Sequence, residues 1–219
     1  MKFIDYKINN FIDDLSSDLP SPGGGSVAGL VAALAGSLNS MVYSLTVNKK
    51  AFDAMDMEDK KLVLDFKEAS KKFTLKALNS MEKDREAFNK LMDCYKMKKD
   101  TEEEKEVRKK VINEKTLGAM LPPYELLKEC YKFYDNIDIA IKYGNKMLIS
   151  DAICAAILLH ASIEAAIENV KINLYSLSNK EYIDRIDNEI KDILSKSLIL
   201  LKTGRKCCII IKKREAVSL

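Results

Sequence analysis

Leu19 to Asn48 reads LPSPGGGSVAGLVAALAGSLNSMVYSLTVN, and the fold turns on this stretch. From Ser26 to Val47 it holds no charged residue, in a chain that is 32% charged. Pro22 turns Ser21 away from helical backbone, and Gly23, Gly24 and Gly25 permit either left-handed angles or the close approach of another group. Ser26 is the expected N-cap of the helix that follows. Within that helix Gly29, Ala33 and Ser37 recur every four residues, as do Ala28, Ala32, Gly36 and Ser40. Such stripes make flat faces on which neighbouring backbones come close. The run is as long as a membrane span, which takes roughly 20 apolar residues. Its Ala, Gly and Ser content, its Asn39 and the lack of Lys or Arg at its start favour the central helix of a soluble bundle instead. The Gly loop is either punctuation or an anion cradle at a helix N-terminus. It is no Walker loop, because no Gly-Lys-Ser/Thr follows.

The remaining composition fits that reading. A chain of 219 residues with 8 Gly, 4 Pro and no Trp is expected to form one helical domain with its own core. Its 36 basic and 33 acidic residues leave a net charge of +3, which gives no general argument for nucleic acid. Cys94, Cys130, Cys154, Cys207 and Cys208 show no CxxC spacing, as expected of a reduced cytoplasmic protein. One histidine, His160, largely excludes His-rich metal centres. The N-terminal residues carry acids and lack the apolar core of a signal peptide.

Along the chain, Phe3 to Ser17 reads as an amphipathic helix, and Met57 to about Met97 as a long one. Leu62, Phe66, Phe73, Ala77, Ser80, Asp84, Phe88 and Leu91 keep helical spacing, which puts Asp84 on or beside the apolar stripe. A carboxylate there is ion-paired, neutral or lining a cavity. Thr101 and Glu104 form a capping box, followed by a solvated charge run through Lys115. Pro122 and Pro123 are expected to break that helix and start the next, which ends near Gly144–Asn145. Ser150 or Asp151 is expected to cap a second nearly uncharged helix, with His160 as a core or interface residue within it. Ser178 and Glu181 suggest a capping box for a last helix running to about Leu201. The expected division is one domain over residues 1–205 and an appended basic, apolar tail over 206–219, with Lys206, Lys212, Lys213 and Arg214.

The order of motifs is more specific than any one of them. Pro-Ser-Pro-Gly-Gly-Gly-Ser26 with its Ala-rich helix comes first, then Thr46-Val-Asn-Lys-Lys50 and Asp84-x-x-Ala-Phe88. Leu121-Pro-Pro-Tyr-Glu125, Gly144-Asn145-x4-Ser150-Asp151-Ala152 and Asn169-Val-Lys-Ile-Asn-Leu174 follow. This series resembles the formiminotransferase-cyclodeaminase C-terminal family, which includes free-standing bacterial methenyltetrahydrofolate cyclohydrolases, over roughly residues 3 to 200. Two departures stand out: Asn48 where that family usually has glycine, and Asn145-Lys146-Met147 where it has Asn-Pro-Asn.

The resemblance implies an all-α, up-and-down bundle of long helices that forms a homodimer. It implies a tetrahydrofolate one-carbon derivative as substrate and no metal or other cofactor. Either 5,10-methenyl-tetrahydrofolate is hydrolysed to 10-formyl-tetrahydrofolate, or 5-formimino-tetrahydrofolate is cyclised with loss of ammonia. Asp84 matches the family's Asp-x-x-Ala-Phe motif and is the expected acid–base residue. Asn145, Ser150 and Asp151 are candidates to bind the pterin, and Gly23, Gly24, Gly25, Ser26, Lys49 and Lys50 to hold the glutamate carboxylates. No nucleic-acid or membrane partner is expected. The rival from another class is a catalytically silent folate-binding or assembly protein on the same bundle.

Overall fold

The computed structural model describes residues 2–217, with side chains described through Ile210. Among the described residues every regular element is a helix: α1 (Ile8–Leu15), α2 (Gly24–Ser44), α3 (Lys50–Asp53), α4 (Met57–Tyr95), α5 (Glu102–Tyr143), α6 (Ile149–Leu174) and α7 (Lys180–Val217). Two single 3-10 turns, Phe3–Asp5 and Lys146–Leu148, precede α1 and α6.

The uncharged stretch becomes α2, and its small residues do what their spacing suggests. A methyl at Gly29 would lie 2.7 Å from Ser80 Oγ, and one at Gly36 2.6 Å from Thr74 Oγ1, so glycine lets α2 rest directly on α4. Pairs of contacts give the directions. Gly25 meets Asp84 while Asn39 meets Ser70, so α2 and α4 run antiparallel. Lys83–Glu125 and Lys76–Glu129 set α4 against α5, and Cys130–Ser162 with Tyr134–Ala156 set α5 against α6. Ser162 Oγ donates to the Ala28 carbonyl at 2.8 Å and Asn169 sits against Gly24, which closes the ring with α6 back on α2. The result is an up-and-down bundle of four long helices, with α7 laid against α6 and α5.

Its core holds Met120, Leu127, Tyr134, Ile137, Leu159, Ile163 and Ile167, each at most 1% exposed. Phe73 and Phe133 stack at 3.9 Å between α4 and α5. Two helical segments, Gly24–Ser44 and Lys146–Leu174, are long and apolar enough to cross a membrane, and roughly half of the most apolar stretch of each lies inside the bundle. A buried polar knot crosses the core. Asn136 Oδ1 accepts from Asn39 Nδ2 at 2.7 Å and from Ser70 Oγ at 3.0 Å, and Asn136 Nδ2 donates to the Phe66 carbonyl at 2.9 Å. Asn136→Ala would remove three side-chain hydrogen bonds from this knot and is expected to cost about 3 kcal/mol. A urea midpoint unchanged from wild type would contradict that role.

Several local expectations give way to tertiary packing. The helix expected over Phe3–Ser17 is interrupted: Phe3 and Phe11 bring their rings to 5.6 Å. Eight residues of straight helix would hold them about 12 Å apart, so packing bends the chain at Tyr6–Lys7. Pro122 and Pro123 do not break α5, which runs through them because Ala119, Met120, Pro123, Tyr124 and Leu127 are buried on both sides of the lost hydrogen bonds. Ser150 and Asp151 lie in the first turn of α6, beyond Leu148 at its N-cap. Asn145 caps the preceding turn, its Oδ1 accepting from Met147 N–H at 3.0 Å. Asn179, not Ser178, caps α7 by accepting from the Tyr182 N–H. That helix continues past Leu201 to Val217 without a boundary at residue 205, with Gly204 and Cys208 buried. The side chains of Lys212, Lys213 and Arg214 lie outside the described ones. The capping box of Thr101 and Glu104 forms as expected.

Candidate active site

Asp84 is brought to the N-terminus of α2. Gly23, not Ser26, is the N-cap, so Gly24, Gly25 and Ser26 form the first turn, whose amides have no intrahelical partner. Asp84 reaches across from α4 and fills that place. The Ser26 backbone N–H donates to its carboxylate, and Ser26 Oγ lies 3.4 Å from Oδ2. This approach requires glycine: a methyl at Gly25 would stand 2.1 Å from Asp84 Oδ1. The Gly loop therefore serves close approach, with the protein's own carboxylate in front of its amides.

Burial raises the Asp84 carboxyl to about 6, opposed by the two Ser26 donors. Desolvation disfavours the charge, while the helix N-terminus and hydrogen bonds favour it. A carboxyl poised near neutrality exchanges protons readily in either direction.

The carboxylate faces a pocket of about 420 Å³. One wall is Pro20, Ser21 and the glycines; Phe88, Leu91, Met92 and Tyr95 form an apolar side on α4; Thr116 and Ala119 come from α5. Asn169, Ile172, Asn173 and Ser176 close it from α6. Asn169 and Asn173 donate their amide hydrogens to helix carbonyls, Ala165 at 2.8 Å and Asn169 at 3.0 Å. Beside Asp84, Arg85 is held by Glu82 at 2.6 Å and by the Phe3 ring 4.6 Å away, so the N-terminal segment braces this wall. A smaller cleft of about 330 Å³ between α4 and α5 is spanned by the Lys76–Glu129 and Lys83–Glu125 pairs, which neutralise each other.

The other expected residues lie elsewhere. Lys49, Lys50, Asn145, Ser150 and Asp151 cluster beyond the far end of α2, some 21 residues or roughly 30 Å from the Gly loop. There the Asn145 N–H donates to Thr46 Oγ1 at 2.8 Å, and Lys49 precedes the short α3. Asn48 has φ 64°, a left-handed backbone that glycine and asparagine both accept, so its replacement of the usual glycine keeps the turn. Met147 is 86% exposed. One chain thus unites Gly23, Gly24, Gly25, Ser26 and Asp84, and leaves the other five candidates at the opposite pole. Asn169, Asn173, Arg85 and Thr116 were missed as site residues. The i, i+4 pair of Asn169 and Asn173, within Asn169-Val-Lys-Ile-Asn-Leu174, was the available signal.

Comparison with known proteins matches this architecture. The formiminotransferase-cyclodeaminase family model matches residues 7–192. Methenyltetrahydrofolate cyclohydrolase of Methylorubrum extorquens is 32% identical over 190 residues, which are 87% of this chain and 89% of that protein. Formimidoyltransferase-cyclodeaminase of Mus musculus is 28% identical over 194 residues, 89% of this chain but 35% of that longer protein. The crystal structure of formiminotetrahydrofolate cyclodeaminase from Thermotoga maritima shares the fold, with a TM-score of 0.76 over 97% of this chain and 98% of that one, at 24% identity.

Proposed function

This chain belongs to the formiminotransferase-cyclodeaminase family, and on that premise we propose that it hydrolyses 5,10-methenyl-tetrahydrofolate to 10-formyl-tetrahydrofolate. The observation that carries the proposal is a carboxyl poised at about 6 in a pocket that also presents apolar walls and amide side chains. The substrate carbon between N5 and N10 is a cationic amidinium, which ionised Asp84 attracts. Asp84 takes a proton from the water whose oxygen attacks that carbon. It then returns the proton to N5 as the carbon–N5 bond breaks. The second proton of that water leaves to solvent as the formyl carbonyl forms on N10. Phe88, Met92 and Tyr95 flank the rings, and Asn169 and Asn173 meet the pterin edge. Neither metal nor redox cofactor enters this sequence of steps.

Cyclisation of 5-formimino-tetrahydrofolate is the second reading, supported by the identity shared with the murine relative. N10 would attack the carbon of the protonated formimino group, and Asp84 would take the N10 proton and pass it to the departing nitrogen, which leaves as ammonia as the methenyl bridge forms.

We also propose a homodimer in the cytoplasm, with α2 and α6 as core and interface helices instead of membrane spans. Leu34 and Met41 on α2, Leu45 at its C-cap and Ile157 on α6 remain at least 36% exposed. A second copy packed antiparallel across this face would cover them and set the Lys49–Asp151 pole of one subunit beside the Gly loop of the other.

The base role has a pH signature. With Asp84 required in its ionised form, kcat/KM should rise with pH, half-complete at about pH 6, and level off above. A profile flat from pH 5 to 7 after subtraction of the buffer reaction would remove Asp84 from the base role.

A further inference from the structure

Asp84 is followed in the chain by a cation that borders the same pocket. Among the described residues, Arg85 and Tyr95 are the only other charged or titratable side chains that line it. From α2, α5 and α6, Asp84 is faced by glycines, hydroxyls, amides and apolar groups. A guanidinium turned into such a pocket would pair with the carboxylate, because opposite charges attract strongly where water is partly excluded. What restrains Arg85 is therefore part of the site.

The restraint is Glu82, which is only 9% exposed. Its Oε2 pairs with the Arg85 guanidinium at 2.6 Å, and its Oε1 accepts the Phe3 N–H. The Phe3 ring lies 4.6 Å from the guanidinium carbon and meets Tyr6 and Phe11 edge-on. Helical register gives the pull a direction. Successive residues turn by about 100°, so Arg85 leaves α4 about 100° from Asp84, and Glu82 about 160° from it. Glu82 thus draws the guanidinium further round the helix, away from the carboxylate. A buried ion pair that loses one partner leaves the other charge uncompensated. Without Glu82, the carboxylate next to Arg85 on the pocket wall is Asp84.

We propose that Glu82, clamped by the Phe3 N–H, is a positioning residue that holds Arg85 away from Asp84 and so keeps that carboxyl able to exchange its proton. The catalytic consequence rests on the folate reading above, whereas the positioning itself does not. A guanidinium released into the pocket would neutralise Asp84 and also repel the cationic carbon of methenyl-tetrahydrofolate. The N-terminal segment, 79 residues away in sequence, thereby acts on the base without touching it.

The test titrates the Asp84 carboxyl by carbon-13 NMR in wild type, Glu82→Gln, Arg85→Met and the double variant, its resonance assigned by its loss in Asp84→Asn. Glutamine still accepts the Phe3 N–H but no longer carries the charge that holds Arg85. In Glu82→Gln the Asp84 midpoint is expected about one pH unit below wild type, as a newly adjacent opposite charge dictates. In the double variant, which lacks the cation, it should return to the value in Arg85→Met. A midpoint unmoved by Glu82→Gln would overturn the positioning role. So would an equal fall with and without Arg85, because Glu82 would then act on Asp84 by its own charge. If Glu82→Gln loses helix content by circular dichroism, Phe3→Leu takes its place in the set, with the same two results deciding. The pH profile of kcat/KM should follow the NMR midpoint. A profile that stays put while the midpoint moves would keep the positioning and take Asp84 out of the reaction. If no folate is turned over, the folate reading falls and the NMR midpoints still decide the role of Glu82.

Discussion

Asp84→Asn is expected to lower kcat by about a thousandfold, within the range of general acid–base contributions, while folate binding and the helical fold persist. Asparagine keeps the shape of the side chain and a carbonyl oxygen for the Ser26 donors, but its amide neither takes up nor releases a proton near neutral pH. Stability supplies an independent readout with a defined sign. The folded carboxyl titrates at about 6, above its ordinary value of 3.8. Between those values the folded state holds a proton that the unfolded chain has lost. The stabilisation is therefore complete below the unfolded value and is lost as pH rises through about 6. At pH 7 to 8 ionised Asp84 costs about 3 kcal/mol. Asp84→Asn should be more stable than wild type there, with a flatter dependence of stability on pH. A variant that loses activity by unfolding would fail both expectations.

Gly25→Ala is expected to lower kcat by roughly a hundredfold or more with every ionisable group still in place, because a displaced base forfeits most of its acid–base contribution. The added methyl would meet Asp84 Oδ1 at 2.1 Å, Cγ at 2.3 Å and Oδ2 at 2.5 Å. All three atoms belong to the carboxylate itself, so relief means turning it away from Ser26 or shifting the start of α2. Gly23→Ala is the matched control. Nothing lies within 4 Å of its methyl, and its backbone, at φ −136°, is open to any residue. Steady-state kinetics on both variants, with circular dichroism to check helix content, separates them. Equal kcat in the two would mean that contact between Gly25 and Asp84 is not needed for turnover.

The helices were legible where one physical effect dominated. The uncharged stretch had only one soluble solution, burial at the centre, and its small-residue stripes announced close backbone packing. Asp84 stood out because a carboxylate at an apolar register must answer to something nearby, and the structure supplies Ser26 and a pocket. Punctuation was less readable. Pro122 and Pro123 look like a break because local propensity opposes helix there, yet burial of Met120 and Leu127 carries α5 through. Phe3 and Phe11 look like one helical stripe, yet their rings meet only if the chain bends between them.

The candidate set divided for a different reason. Spacing tells which residues share a face, but not at which end of a 21-residue helix a loop is returned. Lys49, Asn145 and Asp151 therefore came out a helix length from the glycines.

The most direct measurement follows the near-ultraviolet absorbance of 5,10-methenyl-tetrahydrofolate with wild-type protein and Asp84→Asn side by side at pH 7. The account predicts loss of the chromophore well above the buffer rate with wild type and close to it with the variant. Equal rates for wild type and buffer, with no chromophore formed from 5-formimino-tetrahydrofolate either, would contradict it and leave a catalytically silent bundle.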